Sequence, residues 1–430
     1  MTDKLRRIQM NKALTYSLVA LLIAALFSAC SSTGPGTVTR SSQPYDLESQ
    51  AIHPALKLFH SSNDSSEVHY KINTSELLYA RMSPEEPFRS NVQISLFLYN
   101  GNQLIDSSRI NLIDTNQTRK AKDLKGVFKL ALNDSIQGTI NFKIEDLIKG
   151  QSISEGLSFD KSNTKNEDNF LLKDHGNGNV IFGNSVNEGE LVDIVYRDRD
   201  RTNFYLRNYF DSNNLPPPPF YYSYPNPLEK LEIIEERNIS SSNSILTVFC
   251  VKGYLLISLD ENSTAGLGIQ VRHEDYPRIT RLEEMILSLR YITSKSEYED
   301  IALSTEAKQR MDDFWIDCGG SAEKARDLIR VYYSRVEEAN TYFACQIEGW
   351  KSDRGLVHIV YGNPNKVITK TGAEVWLYGE ENNLNTLSFT FRKMENSISS
   401  NHYILLRDPI YKSSWSRAVD SWRNGRIYND

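Results

Sequence analysis

Apolar side chains recur at every second position through four stretches of the first third of the chain. This alternation limits the fold more than any other feature. Val68, Tyr70 and Ile72 alternate with polar neighbours. So do Val92, Ile94, Leu96 and Leu98, then Phe128, Leu130 and Leu132, then Ile140, Phe142 and Ile144. A period of two puts each set on one face of a strand. Turn formers separate the runs: Asn100-Gly101-Asn102, Asn133-Asp134 and Gln137-Gly138. Short strands at this spacing predict an antiparallel β-sandwich-like domain over 61–150.

Polar residues 150–169 read as a linker. Strand candidates at 180–182, 191–196, 204–206, 245–251 and 254–259 then predict a second β-rich domain over 170–260. Between them Pro216 to Pro219 form a stiff polyproline stretch, followed by Phe220, Tyr221, Tyr222 and Tyr224. That loop reads either as a rigid crossover whose aromatics cover the sandwich edge or as a partner loop presenting Tyr221 and Tyr222.

From residue 279 the period changes. Ile279, Leu282, Ile286 and Leu289 lie three and four apart, as on one helical face. Ser296 reads as the cap of a second helix running through 297–302 or beyond. Gly319-Gly320 breaks the pattern and Ser321 opens the clearest helix. Ala325, Leu328, Ile329, Tyr332, Val336, Ala339 and Phe343 line one side of it. Lys324, Asp327, Arg330, Arg335 and Glu338 line the other. Strands at 356–361, 374–378, 386–391 and 403–406 follow, with a hairpin turn at 380–383 and a final short helix at 413–422. The fold class predicted is multidomain: two antiparallel β-sandwich-like domains, then an α+β domain over 275–430 with helices before a strand meander.

The amino terminus addresses the compartment. Lys4, Arg6, Arg7 and Lys12 precede a fifteen-residue apolar stretch from 13 to 27, short for a spanning helix and right for a signal-peptide core. Phe27-Ser28-Ala29-Cys30 resembles the lipobox of bacterial lipoproteins, with Phe27 in place of the more usual Leu. The resemblance implies that 1–29 is a signal peptide, that Cys30 becomes the first mature residue and carries acyl chains, and that 30–60 is a flexible tether. Each buried methylene contributes about 0.8 kcal/mol, so several chains make a firm anchor. The chain carries 49 Lys+Arg and 55 Asp+Glu. Removing 1–29 takes away four basic residues and one acidic one and moves the net charge from -6 to -9. Such a body is not drawn to anionic lipid on its own, and the charge excludes a dedicated nucleic-acid binder.

Residues Glu348-Gly349-Trp350-Lys351-Ser352-Asp353-Arg354-Gly355 lie after the long helix. They resemble the signature of the GWxTD domain, a family of bacterial lipoprotein domains whose pattern is Gly-Trp-x-Thr-Asp, then Arg-Gly and a strand ending in Tyr-Gly-x-Pro. Gly349, Trp350, Asp353, Arg354, Gly355, Tyr361, Gly362 and Pro364 match. Ser352 replaces Thr and keeps the hydroxyl. Leu289 to Thr293, Glu297-Tyr298, Asn340, Phe343 and Val375 to Tyr378 also fit, so the resemblance covers about 279–407. It implies outer-membrane anchoring and no established activity.

Each signature residue has an expected structural role. Gly349 supplies a left-handed helix cap. Trp350 plugs the gap between helix and sheet. Ser352 and Asp353 accept backbone N–H bonds, and Asp353 pairs with Arg354 or another cation. Gly355 lets the chain enter a strand, and Gly362-Asn363-Pro364 turns it. The catalytic alternative is a hydrolase using Asp353 with His358, or Glu348 with Asp353. On a strand, His358 shares a face with Leu356 and Val360 and reads as a packed histidine.

Other signals are local. Asp134-Ser135-Ile136 resembles an O-glycosylation acceptor and marks Ser135. Alternating charges from Arg197 to Arg201 read as a solvated turn or a protected edge. Cys318–Cys345 is a conceivable disulfide, although Cys250, Cys318 and Cys345 also suit buried thiols. No CxxC, no His pair at metal spacing and no Gly-x-Ser-x-Gly elbow occurs, so neither a metal nor a cofactor is implied. The function expected is a lipid-anchored, non-enzymatic binding or scaffold subunit that touches other envelope proteins. A surface lipoprotein that binds glycan or peptide is the alternative.

Overall fold

The computed structural model describes residues 38–41, 52–115, 120–210, 214–221, 231–370, 372–379, 386–394 and 398–428. Residues 1–30, the 380–383 turn and Tyr222 lie outside these. The first described strand is β1 (Val38–Ser41).

The alternating runs build a sandwich. One sheet has β2 (Ala55–Phe59), β3 (Ser65–Asn73) and β6 (Asp123–Ala131) in the order β2-β3-β6. The other has β4 (Arg89–Asn100), β5 (Gln103–Thr115), β7 (Gln137–Asp146) and β8 (Gln151–Asp160) in the order β5-β4-β7-β8. Every pairing is antiparallel. All thirteen apolar residues picked out by their period-two spacing lie in the shared core. Asn100 pairs with Gln103, so the β4–β5 hairpin closes over Gly101-Asn102, with Gly101 at φ +56°. A two-residue loop that matches strand twist needs such a residue.

Two boundaries differ from expectation. Strand β2 falls inside the expected tether, and β8 falls inside the expected linker. In β8 only Ile153, Leu157 and Phe159 face the core, while Ser152, Ser154 and Ser158 face out. An edge strand with so few apolar residues reads as linker by composition.

The second sandwich joins β14 (Leu246–Phe249), β11 (Leu191–Tyr196) and β9 (Phe170–Asp174) in one sheet. Its other sheet runs β10 (Ser185–Asn187), β16 (Leu267–Arg272), β15 (Gly253–Ser258), β12 (Asn203–Tyr209), β13 (Ile233–Ser240). Within this sandwich β10 pairs with β16 in parallel, and the other pairings are antiparallel. Residues 180–182 are not a strand; Val180 makes one isolated bridge to Lys173. Strands β13 and β16 escape the alternation test for opposite reasons. Nearly all of β13 is solvated, and β16 is buried on both faces.

The carboxy-terminal part is α+β. Helices α1 (Leu282–Ser288), α2 (Lys295–Ala302), α3 (Ala307–Gly319), α4 (Ala322–Phe343) and α5 (Asp353–Tyr361) precede a meander of β17 (Lys366–Lys370), β18 (Ala373–Tyr378), β19 (Leu387–Lys393) and β20 (Tyr403–Leu405), closed by α6 (Tyr411–Arg423). Ser294, not Ser296, caps α2, in a reciprocal capping box with Glu297. Gly320 ends α3 in the left-handed conformation and Ser321 caps α4. The apolar side of α4 is buried as its spacing requires, but Arg335 and Glu338 on the expected polar side are buried too.

The three parts are fastened to one another. Phe59 packs on Leu171 and Val195, and the His60 N–H donates to the Asp168 carbonyl at 2.7 Å. Arg197 is buried rather than solvated. It donates to Asn63 Oδ1 at 2.9 Å and Asn169 Oδ1 at 3.2 Å and forms an ion pair with Asp134. That arrangement ties the β6–β7 turn of the first sandwich to the second. On the other side Gln270 Nε2 donates to the Cys345 carbonyl at 2.9 Å, and the Tyr254 hydroxyl donates to the Ile398 carbonyl at 2.8 Å.

Candidate functional site

The signature segment is built between α4 and the meander. Helix α4 ends at Phe343 with Ala344 as its cap, so Gly349 is not the helix cap expected. Gly349 instead opens a single 3-10 turn, Gly349–Lys351. A Cβ there would lie 1.9 Å from the Ala339 carbonyl oxygen, and one at Gly355 would lie 2.1 Å from the Gly349 carbonyl oxygen. Both glycines are therefore required by close backbone approach.

Residues 353–361 form helix α5, not the expected strand. Ser352 Oγ accepts from the Gly355 N–H at 3.0 Å, as an N-cap does, and donates to the Gly349 carbonyl at 2.6 Å. The β-branched residues Val357, Ile359 and Val360 favour a strand locally. Tertiary packing overrides them, because all nine residues of α5 are buried and its polar members Asp353, Arg354 and His358 are bonded to other elements.

Trp350 is the plug. It is fully buried, its indole N–H donates to Glu348 Oε2 at 2.5 Å, and its carbonyl accepts from the Tyr291 hydroxyl at 2.8 Å. Asn340 Oδ1 accepts from its backbone N–H at 3.2 Å. Lys351 is 2% exposed and lies 3.5 Å from the Glu348 carboxylate, with its ammonium over the Trp350 ring. Burial alone pushes the Glu348 carboxyl up; the charges of Lys351 and Arg272 outweigh that and hold it below its ordinary value.

Asp353 does not pair with its neighbour Arg354. Its Oδ2 accepts from the Leu405 N–H at 2.8 Å and from Arg407 Nη1 at 3.1 Å, and its Oδ1 accepts from Arg407 Nη2. Arg407 also donates to the Pro217 carbonyl at 3.1 Å, and the Asp408 N–H donates to Pro219 at 3.2 Å. The polyproline segment is thus strapped onto this domain. Arg354 faces another way. It lies 3.4 Å from Glu374, donates to Asn401 Oδ1 at 2.6 Å, and sits over the Phe343 and Tyr403 rings. Tyr361 packs among Tyr378, Phe389, Trp415 and Tyr428. Gly362 turns the chain at φ +85° before buried Pro364.

His358 is on α5, fully buried, with Nε2 2.7 Å from Glu338 Oε2 and its ring edge-on to Phe343. Asp353 and His358 therefore serve different partners: Asp353 holds Arg407 and β20, and His358 holds α4. Ser135 is exposed on the β6–β7 turn next to Asp134, and Tyr221 is 52% exposed. Cys250, Cys318 and Cys345 are free, buried thiols, so the conceivable Cys318–Cys345 bridge is not formed. Among the described residues no cluster suited to a metal occurs, and no helix is long and apolar enough to cross a membrane. Cys30 lies outside the described residues. Arg407, Glu374, Glu338 and Asn401 are the members of the network that sequence spacing did not point to. Each lies 20 or more positions from its partner along the chain, and no local pattern marks such a pair.

The family described as "GWxTD domain" matches over 253–424. Residues 253–424 form a GWxTD domain. Its match begins at β15, so the last two strands of the second sandwich belong to it as well as the helices and meander. No curated protein matches the chain. Among solved structures, a glycosyl hydrolase family 2 member from Bacteroides cellulosilyticus DSM 14838 is 11% identical with a TM-score of 0.20, covering 33% of this chain and 19% of that one. A putative beta-galactosidase from Bacteroides fragilis is also 11% identical, with a TM-score of 0.19, covering 35% and 21%. The chain spans about a fifth of the length of these structures.

Proposed function

We propose that this protein is an outer-membrane lipoprotein, tethered through Cys30, that acts as a non-enzymatic scaffold subunit of a cell-envelope assembly. The observation that carries this reading is the direction of the signature side chains. Trp350, Ser352, Asp353 and Arg354 all point into the domain and bind other parts of the same chain. A motif used this way fixes shape rather than presenting reactive groups to a substrate. The β-rich modules that it holds in place offer edges for protein contact. Strand β5 is thirteen residues long, ends its sheet among the described strands, and carries exposed Leu104, Ile105 and Ile113.

Two measurements test the reading. Replacing Cys30 with Ala should release the protein from the membrane fraction, and unchanged attachment overturns the anchor. Crosslinking in membranes and gentle detergent extraction should recover the protein with envelope partners. Recovery of the protein alone at every salt concentration refutes the scaffold role.

A further inference from the structure

A cavity of 720 Å³ lies where the two sandwiches meet the GWxTD domain. That volume falls within the range of small-molecule sites, about 300–1,000 Å³. All three parts of the chain contribute to its wall: Leu56 and Leu157 from the first sandwich, Asn184 and Gln270 from the second, and Asn340 and Asn401 from the helical and meander portion.

We propose that this cavity binds a neutral oligosaccharide. The wall carries four carboxylates, Glu167, Asp168, Asp174 and Glu190, against one cation, Lys57, which disfavours an anion. It also carries five Ser or Thr hydroxyls and five carboxamides, of which Asn340 and Asn401 are already bonded within the chain. Carboxamides and hydroxyls both donate and accept. A simple ammonium ion would satisfy only the acceptors, whereas sugar hydroxyls satisfy both kinds. The aliphatic wall and the Phe182 and Tyr276 rings provide the apolar surface against which a pyranose ring lays its C–H face.

Two residues of the wall each carry one buried polar atom without a partner. Gln270 is 9% exposed, and while its Nε2 binds Cys345, its buried Oε1 has no hydrogen-bond partner. Asn184 Oδ1 is likewise buried and unpaired, on a residue held at φ +50°. Buried acceptors without donors are costly, and a left-handed non-glycine residue adds strain. The rim is already knit across domains: Glu167 accepts from Ser400 Oγ at 2.6 Å and from Asn184 Nδ2 at 3.2 Å. A ligand seated here would touch all three parts at once and stiffen their arrangement. This inference goes beyond the scaffold role and does not depend on the anchor.

Calorimetric titration of the full chain in detergent with cellobiose, maltose and N,N′-diacetylchitobiose tests it, with spermidine as a cationic probe. At least one saccharide should bind. Ser158→Trp places a large ring in the cavity from the exposed face of β8 and should weaken binding about tenfold or more, with an unchanged melting curve by circular dichroism. The proposal fails if none of the three saccharides gives heat, if Ser158→Trp binds as the wild type does, or if spermidine alone binds.

Discussion

Replacing Asp353 with Asn tests whether the signature acts as a structural joint. The substitution keeps the side-chain shape and leaves an acceptor for the Leu405 N–H, but it removes the charge facing Arg407. The two side chains are 6% and 9% exposed, so water screens the loss poorly. Removing one member of a buried pair costs about 3–5 kcal/mol. Asp353 is also the first residue of α5, where a negative charge contributes about 0.3–1 kcal/mol. Because Asn still accepts from Leu405, the lower end applies, about 3 kcal/mol. The assay is built into the sequence. All five tryptophans, Trp315, Trp350, Trp376, Trp415 and Trp422, lie in the helical and meander portion of the GWxTD domain, so their fluorescence in a urea titration follows that portion. Arg407→Met in the Asp353→Asn background should recover part of the loss, because no charge is then left buried alone. A loss below about 1 kcal/mol for Asp353→Asn, or strict additivity of the two changes, would refute the joint.

Three further outcomes are expected. Ser352→Ala should cost the GWxTD domain about 1–2 kcal/mol through loss of the α5 cap, while Ser352→Thr, the residue of the family pattern, should stay within about 1 kcal/mol; urea midpoints compare them. Burial holds the His402 imidazole down to about 4. The unfolded chain binds that proton more readily, so the stabilisation is present above pH 6.5 and is lost as pH falls towards 4, by up to about 3 kcal/mol. His402→Gln should flatten the tryptophan-read stability over that window, and an unchanged slope contradicts the assignment. The same sign holds for His60, also held at about 4, whereas Asp168, pushed up to about 7 chiefly by burial, acts in the opposite sense. Finally, Arg197→Ala should make the 161–169 segment more sensitive to limited proteolysis while leaving the tryptophan transition in place, since Arg197 fastens the sandwiches and not the GWxTD domain. Equal resistance of the two proteins removes the fastening role.

Legibility from sequence followed local periodicity. The first sandwich was readable because each of its core strands exposes one face, and the α4 stripe because a long helix repeats its pattern over 22 residues. Strands β13 and β16 leave no such mark in the sequence, because neither has one wet and one dry face. Helix α5 is hard to read locally because it is short and Val357, Ile359 and Val360 favour a strand. The signature residues themselves were identifiable, and Trp350 and the Ser352 cap behave as their chemistry suggests. The partners were not. Arg407 for Asp353, Glu374 for Arg354 and Glu338 for His358 are set by tertiary folding. Arg197 and Arg335 show the same limit from the other side, since charged residues in polar surroundings read as solvated until a neighbouring element covers them.

The three interior cysteines have a practical consequence. Burial pushes the Cys250 thiol up to about 12 and Cys318 up to about 11, and raises Cys345 as well. At neutral pH these sulfurs are almost entirely protonated and shielded, so maleimide reagents should pass them by in the folded body. A single cysteine introduced on an outer strand would then be the selective attachment point for a fluorophore or spin label in that body. Distances between modules become measurable without first stripping out the native sulfur residues.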